Sequence, residues 1–544
     1  MTMKPEEHIV AADYVSAQLS EAGKASADEH LARCSECRAA VEAAKQKLRE
    51  SATPPADIVP GFRRPILLAW FPRMAHGVWR TLNFLGRFGV VMALTTAVLL
   101  LPAPEGVTTE GHRALALLVF TASILALEPV SLPLAALMVP LMQVALGITE
   151  TRQAFEPFSR PVVFLILTSL FLAEALRKHG LTRRLALLTI IASGGGIRKV
   201  VFGLMAITAF LSMWIENTAT AAMLIPVALT LSRQVEDPED ARSFLVLLVL
   251  GIAYSASIGG MGTVMGAASN AVTAGFLADI RPWRFMDWMR YGVPALLVLF
   301  PLTWWLLLRM MPVAIQQLDV EPARQALHKQ GRMSGYEWEL SATILIAIIL
   351  WVSGEFLEAY FTLPPTLLSA ALVGVGAVAY LGVRGILQWD EMKGVSWGIF
   401  LIIGAGLSLG DALVNTGVTA WFVKLVSPLV TGVPIFWSLM ILIFASALLT
   451  NVMNNTTIAA LFVPVLISFA RADPAFNAAQ LVLPVALATT FGYSLPSASG
   501  RMALIAASGI VARREMMRYG LIMTIFSSLA LGLYFYVLTW LDWI

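Results

Sequence analysis

Charge is what this chain has least of. Only 13% of its 544 residues are Asp, Glu, Lys or Arg, against about 25% in a soluble globular protein, while 58% are hydrophobic and the mean hydropathy is +0.75. Those figures exclude a soluble enzyme and imply a polytopic membrane protein. A secretory signal is also lacking, because the first 60 residues are polar and hold no short apolar core with a cleavage site. No basic stripe with interleaved aromatics lies outside the clusters that flank the apolar runs, so the formal charge of +3 does not mark a nucleic-acid surface. Cysteine is nearly absent: the two present, Cys34 and Cys37, both fall in the polar head.

What the chain does have is long uncharged runs, from 88–104 onward to 519–541, with the longest at 243–278 and 425–470. A bilayer core about 30 Å thick needs about 20 helical residues, so the longest runs hold two passes, or one pass and a re-entrant hairpin. The reading is all-α with about eleven spans. Arg63, Arg64, Arg73, Arg80 and Arg87 crowd the approach to the first run, which puts the N-terminus in the cytoplasm of a bacterial inner-membrane protein. Arg513, Arg514 and Arg518 precede the last span, which places the C-terminus outside.

Self-comparison finds a repeat. "ENTATAAMLIPV" at 216–227 aligns with "NNTTIAALFVPV" at 454–465, an offset of 454 − 216 = 238. "EALRKHG" at 174–180 matches "DALVNTG" at 411–417, and "YSASIGGMGTVMGAAS" at 254–269 falls opposite "FGYSLPSASGRMALIAASG" at 491–509. The expected organisation is repeat 1 at 88–310, a polar linker at 311–339 and repeat 2 at 340–544. If each half holds an odd number of spans, the second is inverted relative to the first and their polar triplets meet near the midplane, as in secondary transporters. Helices broken there expose backbone groups that bind anions at N-termini and cations at carbonyls.

These motifs, "LSMWIENTATAAM" followed by "GIAYSASIGGMGT" and the second triplet, resemble the divalent anion/sodium symporter family of dicarboxylate and citrate transporters. The resemblance implies a homodimer with a scaffold and a moving, elevator-like transport domain, carrying a small anion in a lipid bilayer, usually by symport with Na⁺. It implies one cation site at Ser212, Glu216, Asn217 and Gly262, and another at Thr450, Met453, Asn455 and Ala498. Asn217, Thr218, Asn455, Thr456 and Ser499 would contact the substrate.

Two charges depart from that pattern. Glu216 replaces the first Ser of the triplet, with sixteen uncharged residues on either side, and Arg501 stands in the second loop. Intramembrane ionisable groups mark ion or proton pathways. Arg501 is therefore expected to supply fixed positive charge at the substrate where relatives use an ion, and Glu216 to bind a cation or carry H⁺. A structural pair in a non-transporting relative is the bland reading. Of lesser residues, Glu174 and Asp411 read as structural, His112 and His179 as solvated, and Trp70, Trp79, Trp283, Trp288 and Trp540 as interfacial anchors.

Residues 1–50 form a separate head. Cys34-x-x-Cys37 with His30 on the same helical face gives three ligands of a tetrahedral site, and His8 a fourth, for which Zn²⁺ is the natural metal. The pattern His-x-x-x-Cys-x-x-Cys resembles the zinc-binding anti-sigma-factor fold, which implies a sigma factor or similar cytoplasmic partner. A redox Cys pair or an inert helix pair are the other readings. Residues 51–87 read as a Pro-rich linker and an amphipathic surface segment. A membrane-tethered ligand sensor is thus the alternative to a transporter.

Overall fold

In the computed structural model the described residues are 85–430, 433–472 and 476–544, and they are helical throughout, with only an isolated bridge between Gly196 and Gln317. The proposed zinc ligands His8, His30, Cys34 and Cys37 lie outside them, as do Trp70 and Trp79. The first half comprises α1 (Leu85–Leu100), α2 (Thr109–Leu127), α3 (Leu132–Ala145), α4 (Thr151–Phe155), α5 (Pro161–Lys178), α6 (Leu181–Ala192), α7 (Ile197–Trp214), α8 (Asn217–Ser232), α9 (Pro238–Gly260), α10 (Ala268–Ala278) and α11 (Phe285–Met310). After α12 (Glu321–Gln330) the second half follows as α13 (Gly335–Tyr360), α14 (Ala370–Val383), α15 (Trp389–Met392), α16 (Trp397–Asn415), α17 (Val418–Val430), α18 (Ile435–Val452), α19 (Asn455–Ala472), α20 (Ala478–Ala488), α21 (Gly500–Ser508) and α22 (Arg513–Trp540).

Among the described residues nine helices are long and apolar enough to cross a membrane, or ten if the pair Thr151–Ser159 and Pro161–Lys178, bent by 47°, is one span. The sequence suggested eleven. The difference lies in apolar runs that end early: α8, with 16 residues, reaches about 24 Å at 1.5 Å per residue, short of the about 30 Å core. The expected linker at 311–339 is itself partly helical. It contains α12 and the first turn of α13, which starts at Gly335 because Ser334 and Glu337 form a capping box there, with Ser334 N donating to Glu337 Oε2 at 2.7 Å.

The helices repeat at the spacing the motifs gave. α7 and α18 start 435 − 197 = 238 residues apart, and α8 and α19 start 455 − 217 = 238 apart. The halves interlock: α7 and α8 pack on α9, while α10 packs on α19 and α8 meets α21 across the repeat boundary. Tyr254 from one half and Tyr493 from the other are in ring contact, centroids 4.7 Å apart, at the centre of the core.

Among the described residues few charged side chains are buried away from the repeat motifs. Arg184 on α6 pairs with Glu337 on α13 at 3.2 Å, both nearly inaccessible. Arg160, ahead of α5, is a fork: it pairs with Asp279 beyond the end of α10 at 3.1 Å and with Asp411 on α16 at 2.9 Å. Trp288 is not an interfacial anchor, since it is buried and donates Nε1–H to Met261 O at 2.9 Å. Trp540 is exposed, as an anchor should be. His112 and His179 are half-buried, and each ring lies on a backbone carbonyl, Val98 O at 2.7 Å and Ile386 O at 2.9 Å, so neither is simply solvated.

Candidate functional site

α7 stops at Trp214 and α8 begins at Asn217, because Glu216 turns the chain and caps the new helix. Its carboxylate accepts from Thr218 N at 2.8 Å, Ala219 N at 3.2 Å and Thr218 Oγ1 at 3.1 Å. The second half repeats the device with a neutral group, Thr456 N donating to Asn454 Oδ1 at 2.9 Å. The acid in the apolar run therefore has a local structural task as well as a place at the site.

Each tip is anchored from behind by the same pair of side chains. Ser212 Oγ donates to Ala256 O at 2.8 Å and lies 2.6 Å from the Asn217 amide; Thr450 Oγ1 lies between two acceptors for its one proton, Thr489 O at 2.8 Å and Asn455 Oδ1 at 2.6 Å. With its nitrogen turned inward, the Asn217 amide also donates to Ala256 O and Gly266 O at 2.8 and 2.7 Å. The fit requires glycine: a Cβ at Gly260 would run into the Asn217 amide, and one at Gly500 would lie 2.7 Å from Thr218 Oγ1.

The tips open on one cavity of about 720 Å³, whose lining includes Glu216, Asn217, Thr218, Asn454, Asn455, Thr456, Ala498, Ser499 and Arg501. Four helix N-termini, of α8, α10, α19 and α21, converge on it. Their dipoles favour an anion, although at α8 and α19 the Thr218, Ala219 and Thr456 N–H groups already donate to Glu216 and Asn454. Two buried hydroxyls on its wall, Ser269 and Ser499, have no hydrogen-bond partner among the described residues. Arg183 and the ion pair Glu174–Arg177 also line it, so Glu174 stands on the cavity wall and is not purely a helix-end residue.

Arg501 is fully buried and donates Nη2–H to Thr490 O at 2.8 Å and Gly492 O at 3.3 Å. The Glu216 carboxylate faces Thr218 and Ala219 and the Arg501 guanidinium faces the loop carbonyls, so the two charges share the cavity without closing on each other. Asn270 latches the matching loop of the first half, donating to Gly260 O and Thr263 O at 2.7 and 2.8 Å. Sequence reasoning passed over Ser269 and Asn270, although both follow directly on the glycine-rich stretch of the first repeat. Of the expected residues, Ser212, Gly262, Thr450 and Met453 stand off the cavity wall: Ser212 and Thr450 lie behind the tips, Gly262 faces the Met213 side chain and Met453 ends α18.

Paired broken helices whose polar tips meet at one cavity, inside a bundle of apolar spans, define a secondary transporter. The chain belongs to the sodium:sulfate symporter family, whose transmembrane region it matches over residues 83–543. It is 30% identical to an uncharacterized transporter of Haemophilus influenzae over 429 residues, 76% of this chain and 89% of that one. It is 29% identical to the sodium-dependent dicarboxylate transporter SdcS of Staphylococcus aureus over 463 residues, 80% of this chain and 87% of that one. These relatives are transporters, not enzymes. Among solved structures, MtrF of Neisseria gonorrhoeae, described as illuminating a class of antimetabolite efflux pumps, shares the fold with TM-score 0.50 at 12% identity, covering 83% of this chain and 94% of that one.

Proposed function

We propose that this protein is a cation-coupled secondary carrier of small di- or tricarboxylates, or of sulfate-like divalent anions, working as a homodimer in the bacterial inner membrane. The observation that carries this reading is the convergence of four helix N-termini, Arg501 and the unpartnered Ser269 and Ser499 hydroxyls on a single cavity. Asn217, Thr218, Asn455, Thr456, Ser499 and Arg501 hold the anion. Its carboxylates take backbone and hydroxyl donors, and the guanidinium offsets their charge in a place where water cannot.

Coupling is asymmetric in this proposal. Behind Asn217 the donor set is all oxygen: Ser212 Oγ, Ala256 O, Gly266 O and, if the amide turns over, Asn217 Oδ1. Hard oxygen donors of this kind suit Na⁺. Behind Asn455, Gly492 adjoins Thr450 O and Asn455 Oδ1, and its carbonyl already accepts from Arg501. A fixed guanidinium there replaces the charge of a second ion, and Glu216 serves as the titratable or cation-binding member. Residues 1–50, with Zn²⁺ on His8, His30, Cys34 and Cys37, form an accessory head that docks a cytoplasmic partner such as a sigma factor.

The test is uptake of labelled succinate, citrate and sulfate into proteoliposomes under separately imposed Na⁺ and pH gradients. One of these anions accumulates against its gradient, and the accumulation collapses when the coupling gradient is removed. Binding of the anion without any uptake would point instead to a membrane-tethered sensor.

A further inference from the structure

A second cavity, of about 1230 Å³, lies away from the substrate site where the start of α7 meets the end of α11. Arg198, Lys199 and Arg309 line it with Trp304 and Trp305, and no acidic residue does. Among the described residues none of the three cations has an ion-pair partner. Arg198 and Lys199 stand in the first turn of α7, whose Gly196 cap provides no side-chain acceptor and whose first turn holds no acid. A helix N-terminus is already positive, so cations there raise the local potential where sequence would ordinarily lower it.

The surroundings say what kind of anion fits. Leu297, Pro301, Trp305 and Arg309 recur every four residues along one exposed face of α11, and on α7 Arg198, Phe202 and Phe210 are exposed at steps of four and eight residues. The two helices adjoin here, because Phe202 packs against Phe300 and Trp304 and Trp304 Nε1–H donates to Arg198 O at 3.2 Å. Each apolar stripe thus ends in a cation at the cavity. Soluble anions have no use for the stripes, whereas a molecule with a phosphate head and two acyl chains uses both. We propose that this cavity is a binding site for one anionic phospholipid, its head on Arg198, Lys199 and Arg309 and its chains along the exposed faces of α7 and α11. This inference is independent of the transported substrate.

The experiment uses the full-length protein, delipidated in detergent and then titrated with phosphatidylglycerol, phosphatidylcholine or inorganic phosphate, with bound lipid read by native mass spectrometry and stability by thermal unfolding. A cation near an anionic lipid contributes about a fivefold factor. The variant R198Q/K199Q/R309Q is therefore expected to hold phosphatidylglycerol about a hundredfold more weakly, R309Q alone about fivefold more weakly, and R513Q/R514Q/R518Q as well as wild type. Equal binding of phosphatidylcholine, protection by phosphate alone, unchanged retention in both the triple and single variants, or a change of oligomeric mass in their place would each overturn the proposal.

Discussion

Gly260→Ala isolates the tip geometry in a single methyl group. A Cβ at this position would overlap the Asn217 amide, with Cγ and Nδ2 both at 2.9 Å, and α9 cannot retreat because the preceding Gly259 already lies against the Ala209 backbone. Asn217 must therefore withdraw by roughly 1 Å, which lengthens its contacts to Ala256 O and Gly266 O beyond hydrogen-bonding range. Overpacking of this kind costs about 1–3 kcal/mol and each lost hydrogen bond about 1 kcal/mol. If about 3 kcal/mol of that falls on the cation-bound state, half-saturation by Na⁺ shifts about a hundredfold. Uptake of labelled succinate into proteoliposomes as a function of Na⁺ measures the shift. Gly376→Ala, on α14 with open space around its Cβ, is the control and leaves the curve in place. A Gly260→Ala protein whose Na⁺ dependence matches the control would refute the placement of Asn217.

Glu216→Gln keeps acceptors for Thr218 and Ala219 while removing the charge, so thermal stability holds but the dependence of uptake on the coupling gradient changes; Glu216→Ala removes the cap too and costs about 1 kcal/mol more, read by thermal unfolding. Arg501→Gln leaves Thr490 O and Gly492 O without their present donor and is expected to lower divalent-anion uptake at least about tenfold, measured against a monocarboxylate as reference. Arg184→Met strands the Glu337 carboxylate and destabilises by about 3–5 kcal/mol, whereas Arg184→Met with Glu337→Gln, which removes the stranded charge and keeps an acceptor for Ser334 N, recovers most of the loss in the same melting assay. Burial pushes the Glu391 carboxyl up, but the Lys178 ammonium and the Gln388 N–H outweigh it and hold the group below its ordinary 4.5. Its stabilising contribution is therefore full above pH about 4.5 and lost on further acidification, a loss that Glu391→Gln removes from the pH dependence of the melting temperature.

The sequence made the membrane class legible through uncharged runs, and the repeat through two triplets at constant spacing, because both are patterns of residue type along the chain. Thr218 and Thr456 duly share one cavity. What stayed hidden depends on backbone direction. Asn270 and Arg501 both clamp loop carbonyls, a likeness that no alignment of "ASN" with "GRM" reveals, since one is an amide and the other a guanidinium. Trp288 reads as an anchor until the Met261 carbonyl is seen behind it. The number of spans is illegible for a similar reason: composition reports how apolar a run is, but not where Glu216 or Asn454 turns it.

The Arg160 fork has a mechanical side. One guanidinium ties α16 and the end of α10 to the start of α5, so the three are fastened at a single bolt. α10 also carries Ala268 and Ser269, which form part of the wall of the cavity that Glu216 and Arg501 line. Any stroke that slides α10 past α16 must shear one prong and leave an aspartate to find water, so the speed of that stroke depends on how readily the bolt draws.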